Sequence, residues 1–476
     1  MRLHGAVLAA AVALVLTPSC GGSSHSSPGD GDGGTGGTRS SSGSGSGAHR
    51  SGGGGSGSGD GGGGGSGSGS HAGDGSGSSV MTQSDGGGGS CLGSSLLADL
   101  GKDHLLIGGS MQAATAAMAP FDVQYIYISG GLPDGTGPCS TCANNCTTNG
   151  TSCATGGPGC AWWGCWQYDV PPPGDFVRGF DTTWNTASPA QIPMVSYYQI
   201  LQSSGVTQGA PEVTQAATNA TLMARYFADW RFLLQQIGTD TAFLHVEPDF
   251  WGFAEQIMGD PTMLPAAVAS ANATDCGSLP NTIAGMGQCM ISMVRKYAPH
   301  AKVGLHASAW STNQDALGNT SASFDVAGAA RQTAAFLAAC GESSADFVVI
   351  ETSDRDAGYY QTVEMRNTWW DATNATLPDF DQDFTWVTAL TEALGVPALW
   401  WQTPLGNSAQ NNTANHYQDN RVDYFLSHMS QLAGAHAIGA VFGAGAGDQT
   451  APETDGGNFV SKANAYFSAR GEALCQ

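Results

Sequence analysis

Eight short segments rich in β-branched, aromatic and leucine residues recur between Cys91 and the C-terminus, and helical patterns separate most of them. They are His104–Gly109, Val123–Ser129, Ile192–Gln199, Ala242–Glu247, Lys302–Ser308, Asp346–Glu351, Pro397–Gln402 and Ile438–Phe442. Several lack polar alternation, as strands covered on both faces must. Between the third and fourth, Leu222, Tyr226, Phe227, Trp230, Leu233, Leu234 and Ile237 recur at three- and four-residue spacing, the stripe of an amphipathic helix. Asn281–Tyr297, Phe324–Cys340, Asp383–Leu394, Arg421–Ala433 and Asn458–Ala473 read as helices on similar grounds. This alternation predicts an α/β fold, a (β/α)8 (TIM) barrel, with an open doubly wound sheet as the alternative. No G-x-G-x-x-G follows a strand, and Gly443-Ala-Gly-Ala-Gly447 has the wrong spacing, so no dinucleotide is called for and no cofactor is expected. One break interrupts the pattern: a disulfide-rich insertion after strand 2, from about Gly130 to Pro189.

The chain divides into residues 1–20, 21–90 and 91–476. The first part carries Arg2, an apolar run from Ala6 to Leu16, and small residues before Cys20, the composition of an export signal. Its apolar run falls short of the roughly 20 residues that span a bilayer. The segment resembles a lipobox, although Pro18 departs from that pattern. The resemblance implies lipidation at Cys20 and a bacterial cell-surface or outer-membrane lipoprotein; an incidental cysteine would leave a secreted protein. Residues 21–90 are Gly and Ser with scattered Asp and His, too poor in apolar surface to offset chain entropy, and so predict a disordered tether. The remainder is long enough for one domain with a sizeable core.

Sixteen Lys+Arg against 39 Asp+Glu give a formal charge of −23. That excludes the cationic footprint of a nucleic-acid binder and leaves a lipid anchor as the only expected membrane contact. A neutral substrate and a monomeric state fit this balance. Cys139, Cys142, Cys146, Cys153, Cys160 and Cys165 crowd the insertion. Cys139-x-x-Cys142 has zinc-ligand spacing, but in an exported chain disulfides are the expectation. Cys276 with Cys289 and Cys91 with Cys475 are further plausible pairs, and Cys340 reads as a buried free thiol.

Active sites of such barrels lie at the carboxyl ends of the strands. Strand four ends His245-Val-Glu247-Pro-Asp249-Phe-Trp251, and strand six ends in Glu351, followed by Asp354 and Asp356. By alternation Phe243, His245 and Glu247 share one face, as do Phe347, Val349 and Glu351. Carboxylates at the ends of apolar strands ask for a reason, because burying an uncompensated one is costly. Glu247 and Glu351 are therefore expected as the working pair, with Asp249 supporting them, and with Asp354 or Asp356 as the competing choice for Glu351. Aromatic residues gather at the same end. Trp251, Tyr198, Trp310, Trp400 and Trp401, with His245, His306, Asp354 and Gln402, are the expected carbohydrate-binding residues. Tyr197 also falls at a strand end, and the insertion that carries Trp162, Trp163 and Trp166 should overhang the same face. Trp369 and Trp370 read as packing residues.

An exported barrel with acids at its strand ends and tryptophans at its mouth resembles a glycoside hydrolase. Val246-Glu247-Pro248-Asp249 is similar to the E-P-D strand end of the family-six cellulases, which implies a supporting role for Asp249 beside a catalytic acid. Tyr168-Asp169-Val-Pro171 echoes the catalytic-acid motif of those cellulases only faintly. The chain also departs from the retaining-glycosidase clan, because strand four lacks Asn-Glu and strand seven ends in Gln402. No chitinase-type D-x-x-D-x-D-x-E is found. Two other functions remain open: a metal-dependent hydrolase holding an ion on His245, Glu247 and His306, and a non-catalytic carbohydrate binder using the aromatic platform alone.

Overall fold

The computed structural model describes residues 92–129, 132, 166, 174–204 and 210–474. Eight parallel strands close into a barrel in chain order. They are β1 Leu106–Gly109, β2 Val123–Ile128, β3 Ile192–Tyr197, β4 Phe243–Val246, β5 Lys302–Ala307, β6 Val348–Ile350, β7 Ala398–Thr403 and β8 Ala437–Phe442. β8 closes on β1, with Leu106 opposite Gly439 and Gly109 opposite Phe442. The architecture is thus the expected (β/α)8 barrel and not an open sheet, and each strand falls inside or within one residue of its predicted segment.

Large and absent side chains together set the inside of the barrel. Phe243 and Phe347 meet with ring centroids 4.9 Å apart. A Cβ at Gly304 would lie 2.1 Å from the Phe347 carbonyl oxygen, so only glycine lets β5 lie this close to β6. Above that layer sit His245, His306, Tyr125 and Trp401, all buried. The outward residues Leu244, Val246, Leu305, Val348 and Trp400 are buried beneath helices.

Polar caps fix the helix starts. Asn219 accepts from the amides of Thr221 and Leu222 to open Ala220–Ile237. Thr282, Asp325 and Asp379 cap Ile283–Tyr297, Val326–Ala339 and Phe380–Leu394 in the same way. The predicted helix Arg421–Ala433 is instead two, Arg421–Ser427 and Met429–Gly434. His428 breaks it. Its ring bonds the Tyr424 carbonyl, the acceptor its own amide would use in an unbroken helix, and that amide turns to Phe425. A helix at Asp175–Asn185, inside the supposed insertion, was not expected. Phe176, Phe180 and Trp184 recur there every four residues, a signal masked by the flanking cysteines and prolines.

Cys276 and Cys289 form the expected disulfide, and Cys340 is a buried free thiol. The export signal with Cys20, the tether, Cys139 to Cys165, and Cys91 with Cys475 lie outside the described residues. Among the described residues no helix is long and apolar enough to cross a membrane.

Candidate active site

Glu247 was expected to point into the barrel with Phe243 and His245. Its backbone instead turns to φ 52°, a left-handed conformation uncommon outside glycine, and the period of two ends there. The carboxyl group swings outward beneath the helix layer. It accepts hydrogen bonds from the amides of Gln199 and Ile200 at 3.0 and 3.2 Å, beside Tyr226 and Asp229 of the Ala220–Ile237 helix. Burial pushes its pKa up to about 8 despite those amides. Glu247 is therefore a buried fastener of the β3 exit and does not reach the mouth. The cation set His245, Glu247 and His306 does not assemble for the same reason.

Asp249 takes the vacated position. It too is left-handed, at φ 66°, and this second turn brings its carboxyl back over the barrel. Positive φ at two non-glycine positions flanking Pro248 is the kind of backbone strain that clusters at functional sites. Tyr198 donates to Asp249 Oδ2 at 3.1 Å. Across the mouth stands Glu351, one residue past β6 and on the inward face that alternation assigned it. One carboxyl oxygen of each, and a ring nitrogen of His306, all lie within 4.8 Å of one another. Among the described residues these three are the side chains that could hold a cation.

The two carboxyls occupy different electrostatic settings. Burial raises Asp249 to about 6, held back by the Tyr198 hydrogen bond. Burial lifts Glu351 further, well above the ordinary range, with the charges of Asp249 and Asp354 adding to it. Beneath them lies a buried polar string: Ser196 Oγ to His245 Nδ1 at 3.1 Å, then His245 Nε2 to His306 Nδ1 at 3.0 Å. Burial depresses both imidazoles, His306 to about 3, so both rings are neutral. His306 Nε2 is buried without a hydrogen-bond partner.

Other expected binding residues divide by face. Trp401 points inward and packs against His245, Tyr125 and Tyr127. Tyr198 and Trp310 are half-buried at the rim, Trp310 lying on Phe253 with centroids 4.8 Å apart. Gln402, also left-handed at φ 54°, is buried at the end of β7. Asp354 sits at the rim but is engaged by Tyr360 and Arg355. Asp356 is buried and accepts from the amides of Gly406 and Thr450, so it does not compete for the role of Glu351.

Four aromatics expected in the groove are not there. Trp400 faces outward, donates to Asp383 and packs on Phe384 and Phe425, because neighbours on a strand point to opposite faces. Trp251 is 1% exposed, with its indole nitrogen donating to the Val246 carbonyl. No ring face is left for a sugar. Tyr197 turns outward to Asp229. Trp166 is buried against Phe232 of an outer helix, while Trp162 and Trp163 lie outside the described residues. Trp370 is a packing residue as expected, with the Arg421 guanidinium 4.3 Å from its ring centre. Tyr125, Tyr127 and Ser196 were missed; the two-residue spacing of the tyrosines was the available signal, hidden in an unbroken apolar run.

No protein-family model matches the chain, and no curated protein matches it. Solved structures similar to it include several barrel glycoside hydrolases. The endoglucanase Cel6 of Mycobacterium tuberculosis is 12% identical at a TM-score of 0.26, over 50% of this chain and 61% of that one. The GH53 catalytic domain of Ignisphaera aggregans is 10% identical at 0.35, over 73% and 81%. A family 44 xyloglucanase of Paenibacillus polymyxa is 12% identical at 0.37, over 71% and 72%. At these scores the likeness transfers neither a reaction nor a residue role.

Proposed function

We propose that this chain is a glycoside hydrolase whose working carboxyls are Asp249 and Glu351. One observation carries the reading: two carboxyls from different strands converge within 4.8 Å at the catalytic mouth of the barrel, in settings that push their pKa values apart. Near neutral pH Asp249 is ionised and Glu351 protonated. Asp249 then attacks the anomeric carbon while Glu351 protonates the leaving oxygen. In the second half-reaction Glu351 takes a proton from water as that water displaces Asp249. The close approach fits the roughly 5–5.5 Å of retaining enzymes better than the roughly 6.5–9.5 Å of inverting ones. Tyr198, Trp310 and Tyr127 supply aromatic surface at the rim, and a lipid anchor at Cys20 with its tether would present the domain, as a monomer, to external carbohydrate.

The test is release of reducing ends from a panel of polysaccharides by the purified domain, with and without a chelator. Asp249→Asn and Glu351→Gln are each expected to lower turnover by about 10³-fold while leaving polysaccharide binding in place. Near-normal turnover in either variant removes that residue from the pair. Activity abolished by chelator would assign the site to a cation instead. Binding without any cleavage by the unaltered domain would make this a carbohydrate-binding protein.

A further inference from the structure

We infer that Asp249, Glu351 and His306 form a seat for a single hydroxyl oxygen, with the Nε2–H of His306 as a donor from the barrel floor; the inference deepens the glycosidase reading and rests on it. The direction of the Ser196–His245–His306 string decides where the His306 proton lies. The Ser196 hydroxyl has His245 Nδ1 as its described hydrogen-bond partner. If it donates there, His245 carries its proton on Nε2 and donates to His306 Nδ1. His306 then carries its proton on Nε2. The reverse order would leave the Ser196 proton without an acceptor. The first order satisfies the serine end of the string and leaves an Nε2–H on His306.

The span of the three groups is also informative. Because the three atoms lie within 4.8 Å of one another, one point lies no farther than about 2.8 Å from each, within hydrogen-bond reach. The chemistry matches as well. A hydroxyl has one proton and two lone pairs. Ionised Asp249 accepts the proton and His306 Nε2–H fills one lone pair, which leaves Glu351 its proton for the leaving oxygen. His306 Nε2 is fully buried and has no partner until such an oxygen arrives.

The oxygen can come from a sugar hydroxyl or from water, and the experiment separates them. His306→Leu removes the donor, and His306→Gln restores an N–H. On the glycan that the unaltered domain cleaves, His306→Leu is expected to lower kcat/KM about tenfold, with His306→Gln recovering most of it. Monodeoxy analogues of that glycan then identify the source. If one deoxygenated position abolishes the difference between His306 and Leu, a sugar hydroxyl occupies the seat; if none does, water occupies it. Unchanged kinetics in His306→Leu overturn the inference. Nitrogen-15 spectra of labelled histidine supply a readout independent of turnover. An Nε2–H tautomer at His306 is expected, and an Nδ1–H tautomer overturns the inference even if no glycan is cleaved. Absence of cleavage by the unaltered domain defeats the glycosidase reading alone. Should His306→Leu fail to fold, His306→Asn and the tautomer decide.

Discussion

Replacing Glu247 with glutamine separates the two carboxyls of the E-P-D turn more sharply than any other change. If Glu247 were a working acid, the amide would abolish turnover. Its surroundings imply otherwise. The buried carboxyl accepts from two backbone amides, and a glutamine oxygen can take both bonds. At pH 6 the folded group is neutral, but in the unfolded chain, at its ordinary 4.5, it is ionised, so Glu247→Gln should already be the more stable form there by about 2 kcal/mol. The difference widens at higher pH. An acid whose folded pKa is raised contributes stability that is full below its unfolded value and falls as pH rises to the folded one. Between pH 6 and pH 8 that is about two pH units at 1.36 kcal/mol each, or roughly 2–3 kcal/mol lost from Glu247 and nothing lost from the amide. Urea unfolding at pH 6 and pH 8.5 should therefore show Glu247→Gln exceeding the unaltered domain at both, by a margin about 2–3 kcal/mol wider at the higher pH. Turnover should survive. Lost turnover with unchanged stability would refute the structural role and return Glu247 to the catalytic pair.

Other outcomes follow from the same physics. Burial pushes Asp229, Asp383 and Glu255 each to about 7, and His104, beside Asp122, titrates above its ordinary value, so all four contributions weaken as pH rises from 5 to 8. The melting temperature should be higher at pH 5 than at pH 8, and a rise toward pH 8 would show that these groups are not buried as described. Arg421→Ala should cost about 3–5 kcal/mol, because it strands buried Asp419, 2.7 Å from the guanidinium, and uncovers Trp370. Calorimetry reads this, and a loss under 1 kcal/mol would contradict it. Cys20→Ser should release the full-length chain from membranes of an expressing bacterium; continued membrane association after fractionation would argue against the anchor.

Strand positions were legible because a strand's requirement is local: a short apolar, β-branched run between turn residues serves any barrel. The helix stripe from Leu222 to Ile237 was legible for the same reason, and so was the arrival of Glu351 at the mouth, since β6 keeps its alternation to the end. Fine register was another matter. Alternation shows that Trp400 and Trp401 oppose each other, but which one enters the barrel depends on the pairing of β7 with β6 and β8, contacts made by distant parts of the chain. Trp251 looked available because it follows a strand, yet the first turn of its helix folds it back onto the Val246 carbonyl.

The E-P-D turn marks the limit most clearly. Composition alone located carboxylates at the end of β4, because nothing apolar calls for them there. It could not say which one faces the mouth. That was decided by two left-handed residues flanking Pro248, conformations held in place by the Gln199 and Ile200 amides just past β3 that grip Glu247 and by the Tyr198 hydroxyl that meets Asp249. The neutral histidine string is likewise a product of assembly, since Ser196, His245 and His306 come from three strands and meet only when the barrel closes.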